Sequence, residues 1–232
     1  MIDIHIERKT FAARGRAGAH TAIAGLKLRL REHEFVCLVG PSGCGKTTLL
    51  NLIAGLDRDF EGHIRFHKTD EPRLGYVFQE PRLLPWRTVR ENLMLALPPD
   101  VEPALIDEWL EIAGLTPFQH TYPTRLSLGM SRRVALVRAF AVQPDLLLMD
   151  EPFVSLDVPT AARMRRLLLD LWRHRPHTVL FVTHDLREAL ELGDRLVFLT
   201  PPPTRIAREL PLPPRPRDRD TLERLYRRIS EN

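Results

Sequence analysis

The sequence predicts an α/β fold built on a parallel central sheet, and three observations carry that expectation. Short continuous apolar runs recur along the chain: Phe35-Val36-Cys37-Leu38-Val39, Leu146-Leu147-Leu148-Met149, Val179-Leu180-Phe181-Val182 and Leu196-Val197-Phe198-Leu199. Strands buried on both faces read this way, because parallel sheets are covered by helices on each side. Stretches of helical periodicity separate the runs, and a glycine-rich loop joins the first run to a helix. That alternation is the mark of strand-helix-strand units.

Length and composition bound what the chain can be. Its 232 residues suit a single domain, with room for an inserted subdomain and none for an added regulatory domain. Hydrophobic residues at 44% supply a core, and no apolar run approaches the ~20 residues of a membrane-spanning helix. The start, Met1-Ile2-Asp3-Ile4-His5-Ile6-Glu7, alternates apolar and polar, so it reads as a strand rather than a signal peptide. Two cysteines, Cys37 and Cys44, make no disulfide framework, which points to a reducing compartment. The net charge is only +4, and arginines are interleaved with acids even in the Arg-rich tail. Composition alone leaves the partner open, with no nucleic-acid partner favoured over a solvated or partner-facing tail, because a nucleic-acid footprint gathers cations on one face.

The elements follow in order. Residues 47–53 have helix-compatible apolar spacing after the glycine loop. Residues 160–174 place Met164, Leu167, Leu168, Leu171 and Trp172 on one helical face with Arg163, Arg165 and Arg166 outward, and Pro176 stops the helix. From about residue 90 to 141 the chain reads as helices without a strand, one over 102–113 ending at Gly114 and one over 132–141 ending before Pro144. The simplest account is a helical subdomain of about residues 88–142 inserted into one domain spanning 1–232. The tail, about 201–232, is broken by prolines and reads as helical only over 220–229.

The segment Gly40-Pro41-Ser42-Gly43-Cys44-Gly45-Lys46-Thr47 fits the spacing G-x-x-x-x-G-K-[ST]. Glycines let the backbone curl until successive N–H groups face one centre, and the following helix adds the positive end of its dipole. Phosphates are the ligands such a cradle suits. Lys46 then supplies a point charge to the β- and γ-phosphates, and Thr47, with Thr48 beside it at the helix start, brings a hydroxyl to Mg²⁺. Cys44 serves as a backbone donor rather than as a redox thiol, and Cys37 belongs to the core. A second motif, Leu146-Leu147-Leu148-Met149-Asp150-Glu151-Pro152, ends an apolar strand in two acids. One carboxylate, Asp150, suits Mg²⁺, and the next, Glu151, suits the water that attacks a γ-phosphate. Phosphoryl transfer asks for this positioning and charge neutralisation more than for covalent chemistry. His184 ends a third strand, so Lys46, Glu151 and His184 all leave carboxyl ends of strands, where ligands of parallel sheets bind.

In this order the motifs resemble the ATPase subunit of ABC transporters, over almost the whole chain. Val77-Phe78-Gln79-Glu80 resembles that family's Q-loop, and Leu126-Ser127-Leu128-Gly129-Met130 its signature motif. Ser155-Leu156-Asp157 is similar to the D-loop and His184 to the switch histidine. Three further stretches resemble the nitrate/sulfonate/taurine group of bacterial importers: Gln79-Glu80-Pro81-Arg82-Leu83-Leu84-Pro85-Trp86, Thr183-His184-Asp185-Leu186-Arg187-Glu188-Ala189 and Pro214-Arg215-Pro216-Arg217-Asp218-Arg219.

The resemblance implies a P-loop NTPase core of the ABC type, with an antiparallel β region at the N-terminus and the inserted helices. It implies ATP hydrolysis by a head-to-tail homodimer that sandwiches two ATP molecules. Each ATP would sit on Gly40, Pro41, Ser42, Gly43, Cys44, Gly45, Lys46, Thr47 and Thr48 of one subunit and meet Ser127, Gly129 and Met130 of the other. Thr47, Gln79 and Asp150 would hold Mg²⁺, with Glu151, His184 and Lys46 as the catalytic set. Phe11 stands where the family places an adenine-stacking aromatic, a buried core Phe being the alternative. Membrane permease subunits would dock near Gln79 to Trp86, with Trp86 either an anchor or a core residue. An extracytoplasmic solute-binding protein would act through the permease, and the location would be the cytoplasmic face of the bacterial inner membrane. Two other readings are a soluble ATPase of this type acting on DNA or ribosomes, and a module that clamps ATP without useful turnover.

The chain departs from the family pattern in places. Leu128 replaces a glycine of the signature, Ser131-Arg132 lack the usual Gln, and His33 stands at a turn position where glycine is common. If position 128 needed positive φ, Leu would cost ~1–2 kcal/mol. The expectation is that Leu128 packs against a neighbour and that Ser127 caps a helix beginning near Arg132.

Overall fold

Period-two burial dictates the first sheet. In β1 (Ile2–Phe11) the side chains of Ile2, Ile4 and Ile6 are buried, and in β2 (His20–Leu30) those of Leu26, Leu28 and Leu30. The two pair antiparallel, and β1 also pairs antiparallel with β4 (Glu61–Phe66), so Ile4 faces both Leu28 and Ile64 across the ladder. These come from a computed structural model that describes residues 1–12 and 18–231. The chain divides into two compact units, Met1–Glu71 with Thr178–Asn232, and Pro72–His177.

In the first unit β3 (Phe35–Val39) has all five residues buried and lies between β7 (Thr178–Thr183) and β8 (Arg195–Leu199), parallel to both. A strand covered on both faces cannot use alternation, which is why Phe35-Val36-Cys37-Leu38-Val39 is apolar throughout. Burial also pushes the Cys37 thiol pKa up, so this sulfur stays a neutral core atom. The entry to β3 is fixed by polar bonds: His33, at φ +56°, donates its N–H to Thr178 Oγ1 (3.1 Å), and the Phe35 N–H donates to Asp194 Oδ2 (2.9 Å). Helices α1 (Lys46–Ile53), α6 (Leu186–Leu192) and α7 (Arg219–Ser230) complete the unit.

The tail is more ordered than its prolines implied. Ile206–Pro211 forms a strand, β9, antiparallel to β8, and the sequence reading had no strand there. An edge strand is held by backbone bonds, and its mostly exposed residues need no apolar pattern. Arg215 forks onto Asp194 (2.9 and 3.0 Å), and Arg217 donates to the carbonyls of Leu190 (2.7 Å) and Gly193 (2.8 Å). Arg217 thus satisfies carbonyls at the end of α6, and Arg215 pairs with the carboxylate that follows it.

In the second unit β5 (Leu74–Val77) pairs parallel with β6 (Leu146–Asp150), Val77 opposite Met149. Between them run α2 (Val89–Met94), α3 (Leu105–Ile112) and α4 (Leu128–Ala141), and α5 (Val158–His174) follows β6. Their shared core centres on Trp109, fully buried with its ring 5.9 Å from that of Phe140, among Ile106, Leu110, Val134 and Leu168. Each such large side chain removed from water contributes roughly 1.5–3 kcal/mol. Two boundaries differ from expectation. The first helix begins at Leu105, after a turn at Glu102 and Pro103, and α4 begins at Leu128 rather than near Arg132. The reason for the second is Ser127, whose Oγ accepts from the Met130 N–H (3.3 Å) and so starts the helix one residue later.

The segment before α2 is organised by a capping box between Thr88 and Glu91 and by Asn92, which is 2% exposed. Asn92 Oδ1 accepts from the Leu84 N–H (2.8 Å), while its Nδ2 donates to the carbonyls of Leu84, Arg87 and Thr88 (2.9–3.1 Å). Removing that amide takes these bonds from the Leu84 N–H and the Arg87 carbonyl, whereas the Leu84 and Thr88 carbonyls keep backbone donors in Arg87 and Asn92. Asn92→Ala is expected to destabilise the protein by about 2–4 kcal/mol in urea unfolding, and unchanged stability would show that these bonds carry nothing.

Candidate functional site

The glycine loop leaves the buried end of β3. A Cβ at Gly40 would lie 2.8 Å from Cys44 Sγ and 3.2 Å from Leu199 Cβ, so only glycine fits. Gly43 and Gly45 take φ of +76° and +89°, a region open to glycine at little cost. Gly45 then caps α1 with no side-chain bond to the helix start and no acid in the first turn. The first N–H groups of α1, on Lys46, Thr47 and Thr48, lack acceptors within the helix, and the dipole favours an anion there. Lys46 is buried and donates from Nζ to the carbonyls of Gly40 (2.9 Å) and Pro41 (3.0 Å). Pro41, Ser42, Gly43 and Thr47 are exposed, and the Cys44 N–H donates to the Pro41 carbonyl (3.3 Å) with its thiol buried. This loop suits a phosphate chain: a donor-rich concavity, one buried ammonium and an exposed hydroxyl.

His184 stands in the same unit. Since Val39 pairs with Thr183, the loop at Gly40 and the turn at His184 leave neighbouring parallel strands at the same end. That turn is locked. Thr183 Oγ1 donates to Glu188 Oε2 (2.8 Å) and accepts from the Asp185 N–H (3.0 Å), and Asp185 caps α6 through the Arg187 N–H (2.8 Å). His184 itself is exposed. Thr183 and Glu188 belong to a stretch singled out in the sequence for its resemblance, which gives neither of them a role; the threonine at the strand end and the acid in the first turn of α6 are the visible signal of this bond.

Phe11 lies at the end of β1 and is 38% exposed, so the core alternative is excluded. It stacks on His20 (5.5 Å, 27° between planes), and Lys9 Nζ sits 5.0 Å from its ring centre. Lys9 is buried and bound to Asp57 (2.9 Å) and to the Asp59 carbonyl (2.6 Å). Partial burial works against ionisation of Asp57, but the Lys9 and Asp59 hydrogen bonds outweigh it and hold the carboxyl below its ordinary range.

The second unit carries the acids. Because Val77 is opposite Met149, Gln79 and the pair Asp150-Glu151 also leave neighbouring parallel strand ends. Asp150 is buried at the end of β6, and Gln79 is exposed. Glu151 has φ +45°, a sterically costly conformation for a non-glycine residue and one found at functional sites. Helix α4 braces both segments. Arg132, itself buried, donates to the Pro152 carbonyl (3.0 Å), directly after Glu151. Arg138 donates to the carbonyls of Pro81 and Arg82 (2.9 Å each), just beyond Gln79. Phe78, next to Gln79, is held between Tyr76 (3.9 Å) and the Arg82 guanidinium (3.9 Å). Burial, and then the Asp150 carboxylate, push the Tyr76 pKa up, so its phenol stays neutral. The sequence reading gave none of these arginines a role, because they act on backbone carbonyls.

At the start of α4, Ser127 is exposed, and Gly129 is in tight contact, a Cβ there lying 3.3 Å from Thr160 Cγ2. Leu128 takes the first helical position and is not among the positive-φ residues, so the strain expected of a left-handed leucine is absent. Its side chain is 49% exposed, which corrects the expectation that it packs against a neighbour within the chain. Among the described residues no group of three or more His, Cys, Asp or Glu could hold a metal. A divalent ion here would need hydroxyl, amide and phosphate oxygens beside a carboxylate, which is the donor set Mg²⁺ accepts.

A glycine cradle at a helix start, a buried lysine and an acidic strand end define a P-loop nucleotide hydrolase. The family model described as ABC transporter matches residues 23–154, and the chain belongs to that family. It is similar to the aliphatic sulfonates import ATP-binding protein SsuB of Bacillus cereus, 40% identical over 91% of this chain and 88% of that protein. The SsuB 2 protein of Burkholderia lata is 42% identical over 94% of this chain and 80% of its own length. SsuB of Bacillus subtilis is 40% identical, over 91% and 84% respectively. Among solved structures, the ATP-binding cassette MJ0796, a dimer in a post-hydrolysis state bound to ADP and Pi, superposes with a TM-score of 0.77 at 31% identity. The match covers 93% of this chain and all of that one. The chain is thus an ABC-type ATPase of the α/β P-loop fold, and it binds and hydrolyses ATP. No helix among the described residues is long and apolar enough to cross a membrane.

The left-handed glycines give a test. A Cβ on Gly43 would meet nothing within 4 Å, so Gly43→Ala perturbs only the backbone. At ~1–2 kcal/mol of strain it should weaken binding of a fluorescent ATP analogue about tenfold, while Ser42→Ala stays within about twofold. Equal affinity of Gly43→Ala and wild type would refute the required loop geometry.

Proposed function

We propose that this chain is the ATP-hydrolysing subunit that powers uptake of an aliphatic sulfonate through a membrane permease, acting as a head-to-tail homodimer. The observation that carries the sulfonate class is the identity of 40–42% with SsuB proteins, over 80–88% of their lengths. Within the nitrate-, sulfonate- or taurine-like range implied by the motifs, these relatives favour sulfonates. The dimer is supported by the dimeric cassette that matches the fold. Two exposed apolar side chains at helix starts, Leu128 and Val158, also fit a surface covered by a second subunit.

In this reading, ATP lies with its phosphates on N–H groups between Gly43 and Thr48 and its adenine on Phe11, Pro41 having no N–H and the Cys44 N–H being bonded to the Pro41 carbonyl (3.3 Å). Lys46 exchanges the carbonyls of Gly40 and Pro41 for β- and γ-phosphate oxygens. Thr47, Asp150 and Gln79 would hold Mg²⁺, which when bound neutralises phosphate charge. Glu151 orients the attacking water and takes its proton as oxygen bonds to the γ-phosphorus. The bond to the bridging oxygen then breaks, releasing ADP. His184 contacts the γ-phosphate from its locked turn. Ser127 of the other subunit, whose Oγ already accepts from the Met130 N–H (3.3 Å), keeps its O–H for that phosphate, with Gly129 adding its N–H and Met130 holding the serine in place.

Trp86, in the stretch that follows Gln79, is 68% exposed, an apolar side chain open to the permease. The dimer would then lie at the cytoplasmic face of the bacterial inner membrane, with a solute-binding protein on the far side. Conversion of Glu151 to Gln keeps shape and removes the base, so ATP binding persists while turnover drops by about 10²–10⁴-fold. Lys46→Ala loses nucleotide affinity instead. Steady-state ATPase and ATP binding measured together decide the matter, and wild-type turnover in Glu151→Gln would end its assignment as base. Uptake of a labelled alkanesulfonate by cells expressing the chain with its permease, set against nitrate uptake, tests the solute class.

A further inference from the structure

We propose that Thr204 is a positioning residue for nucleotide binding, a lock that holds the Gly45 N–H toward the phosphates. The inference rests on the reading of residues 40–48 as an ATP cradle. Thr204 is fully buried although polar, and its Oγ1 donates a hydrogen bond to the Cys44 carbonyl inside the loop. The residue is fixed on both sides by β2: its N–H donates to the Ala22 carbonyl (2.8 Å), and its carbonyl accepts from the Ala24 N–H (3.2 Å). The hydroxyl is therefore a rigid point of attachment.

The consequence follows from peptide geometry. In a planar trans peptide, the C=O of one residue and the N–H of the next point in opposite directions. With the Cys44 carbonyl tied back to Thr204, the Gly45 N–H is turned the other way. Among the described residues no backbone carbonyl accepts from that N–H, which leaves it for a ligand. A lock is needed here because Gly45, at φ +89°, has no Cβ to disfavour rotation of this peptide. The packing agrees, since a Cβ at Gly45 would come within 3.0 Å of Thr204 Oγ1. Thr204 and glycine at 45 are thus one device: the glycine permits the turn, and the hydroxyl selects its direction.

The test uses the full chain and titrates MgADP and MgATP. Thr204→Val keeps the shape and loses the hydroxyl, and Thr204→Ser keeps the hydroxyl and loses a methyl. Thr204→Val should raise Kd for both nucleotides about 5–10-fold, with the larger part of the kinetic change in KM rather than kcat, and Thr204→Ser should restore most of it. If Thr204→Val does not accumulate as folded protein, Thr204→Ala set against Thr204→Ser makes the same comparison. Wild-type affinity in the hydroxyl-free variant, or a loss that Ser fails to repair, overturns the proposal. Wild-type chain that binds neither nucleotide overturns the ATP-cradle reading itself, and this inference with it.

Discussion

The direction of a few peptide planes between Val39 and Thr47 is the constraint on which the site depends. A phosphate chain is bound by N–H groups only if they converge, and an ordinary extended backbone points them to alternate sides. Convergence requires left-handed turns at Gly43 and Gly45 and a close approach of backbone at Gly40. It also requires fixed ends. The fully buried β3 anchors one, and the buried Leu49, Leu50, Leu52 and Ile53 of α1 anchor the other. The apolar core of this unit thus acts on function by denying the loop freedom to relax.

The acidic half is organised on a different principle. There the loops carry ordinary residues, and a helix restrains them from behind. Arg132 and Arg138 of α4 each reach a carbonyl beside a functional position, Pro152 after Glu151 and Pro81 and Arg82 after Gln79. Burial lowers the pKa of both guanidiniums, yet arginine remains charged at any physiological pH, so these bonds are charge-assisted. Since Ser127 caps the same helix, a shift of α4 would move the signature end, the Glu151 turn and the Gln79 loop together. The positive φ of Glu151 is held in this framework, where strain can persist because neighbouring contacts over-determine it.

Much of this was legible in the sequence, and the division has a physical basis. Where chemistry demands a residue type at a fixed spacing, the letters show it: glycines and Lys46 in the loop, the acids after β6, and His184 after β7. The buried strands β3, β6, β7 and β8 were equally plain, being apolar throughout. Less visible were β5, with four residues, and β9, an exposed edge held by its backbone. The alternation of Leu26, Leu28 and Leu30 is the sequence signal of β2. Supports such as Thr204, Thr183 and Arg138 stayed hidden because they act on groups that leave no pattern in the side chains around them. Leu128 misled because a family glycine suggested a left-handed turn, whereas the capped helix at Ser127 uses a position any residue can occupy.

The most direct test is a crystal structure of the chain with a non-hydrolysable ATP analogue and Mg²⁺. Phosphate oxygens are expected within hydrogen-bond distance of the Gly45 N–H and Lys46 Nζ. Positive φ should be retained at Gly43 and Gly45, with the Cys44 carbonyl still bonded to Thr204. A nucleotide bound elsewhere, or a loop whose Cys44–Gly45 peptide has turned over to receive it, would contradict the claim that the fold prepares these peptide planes in advance.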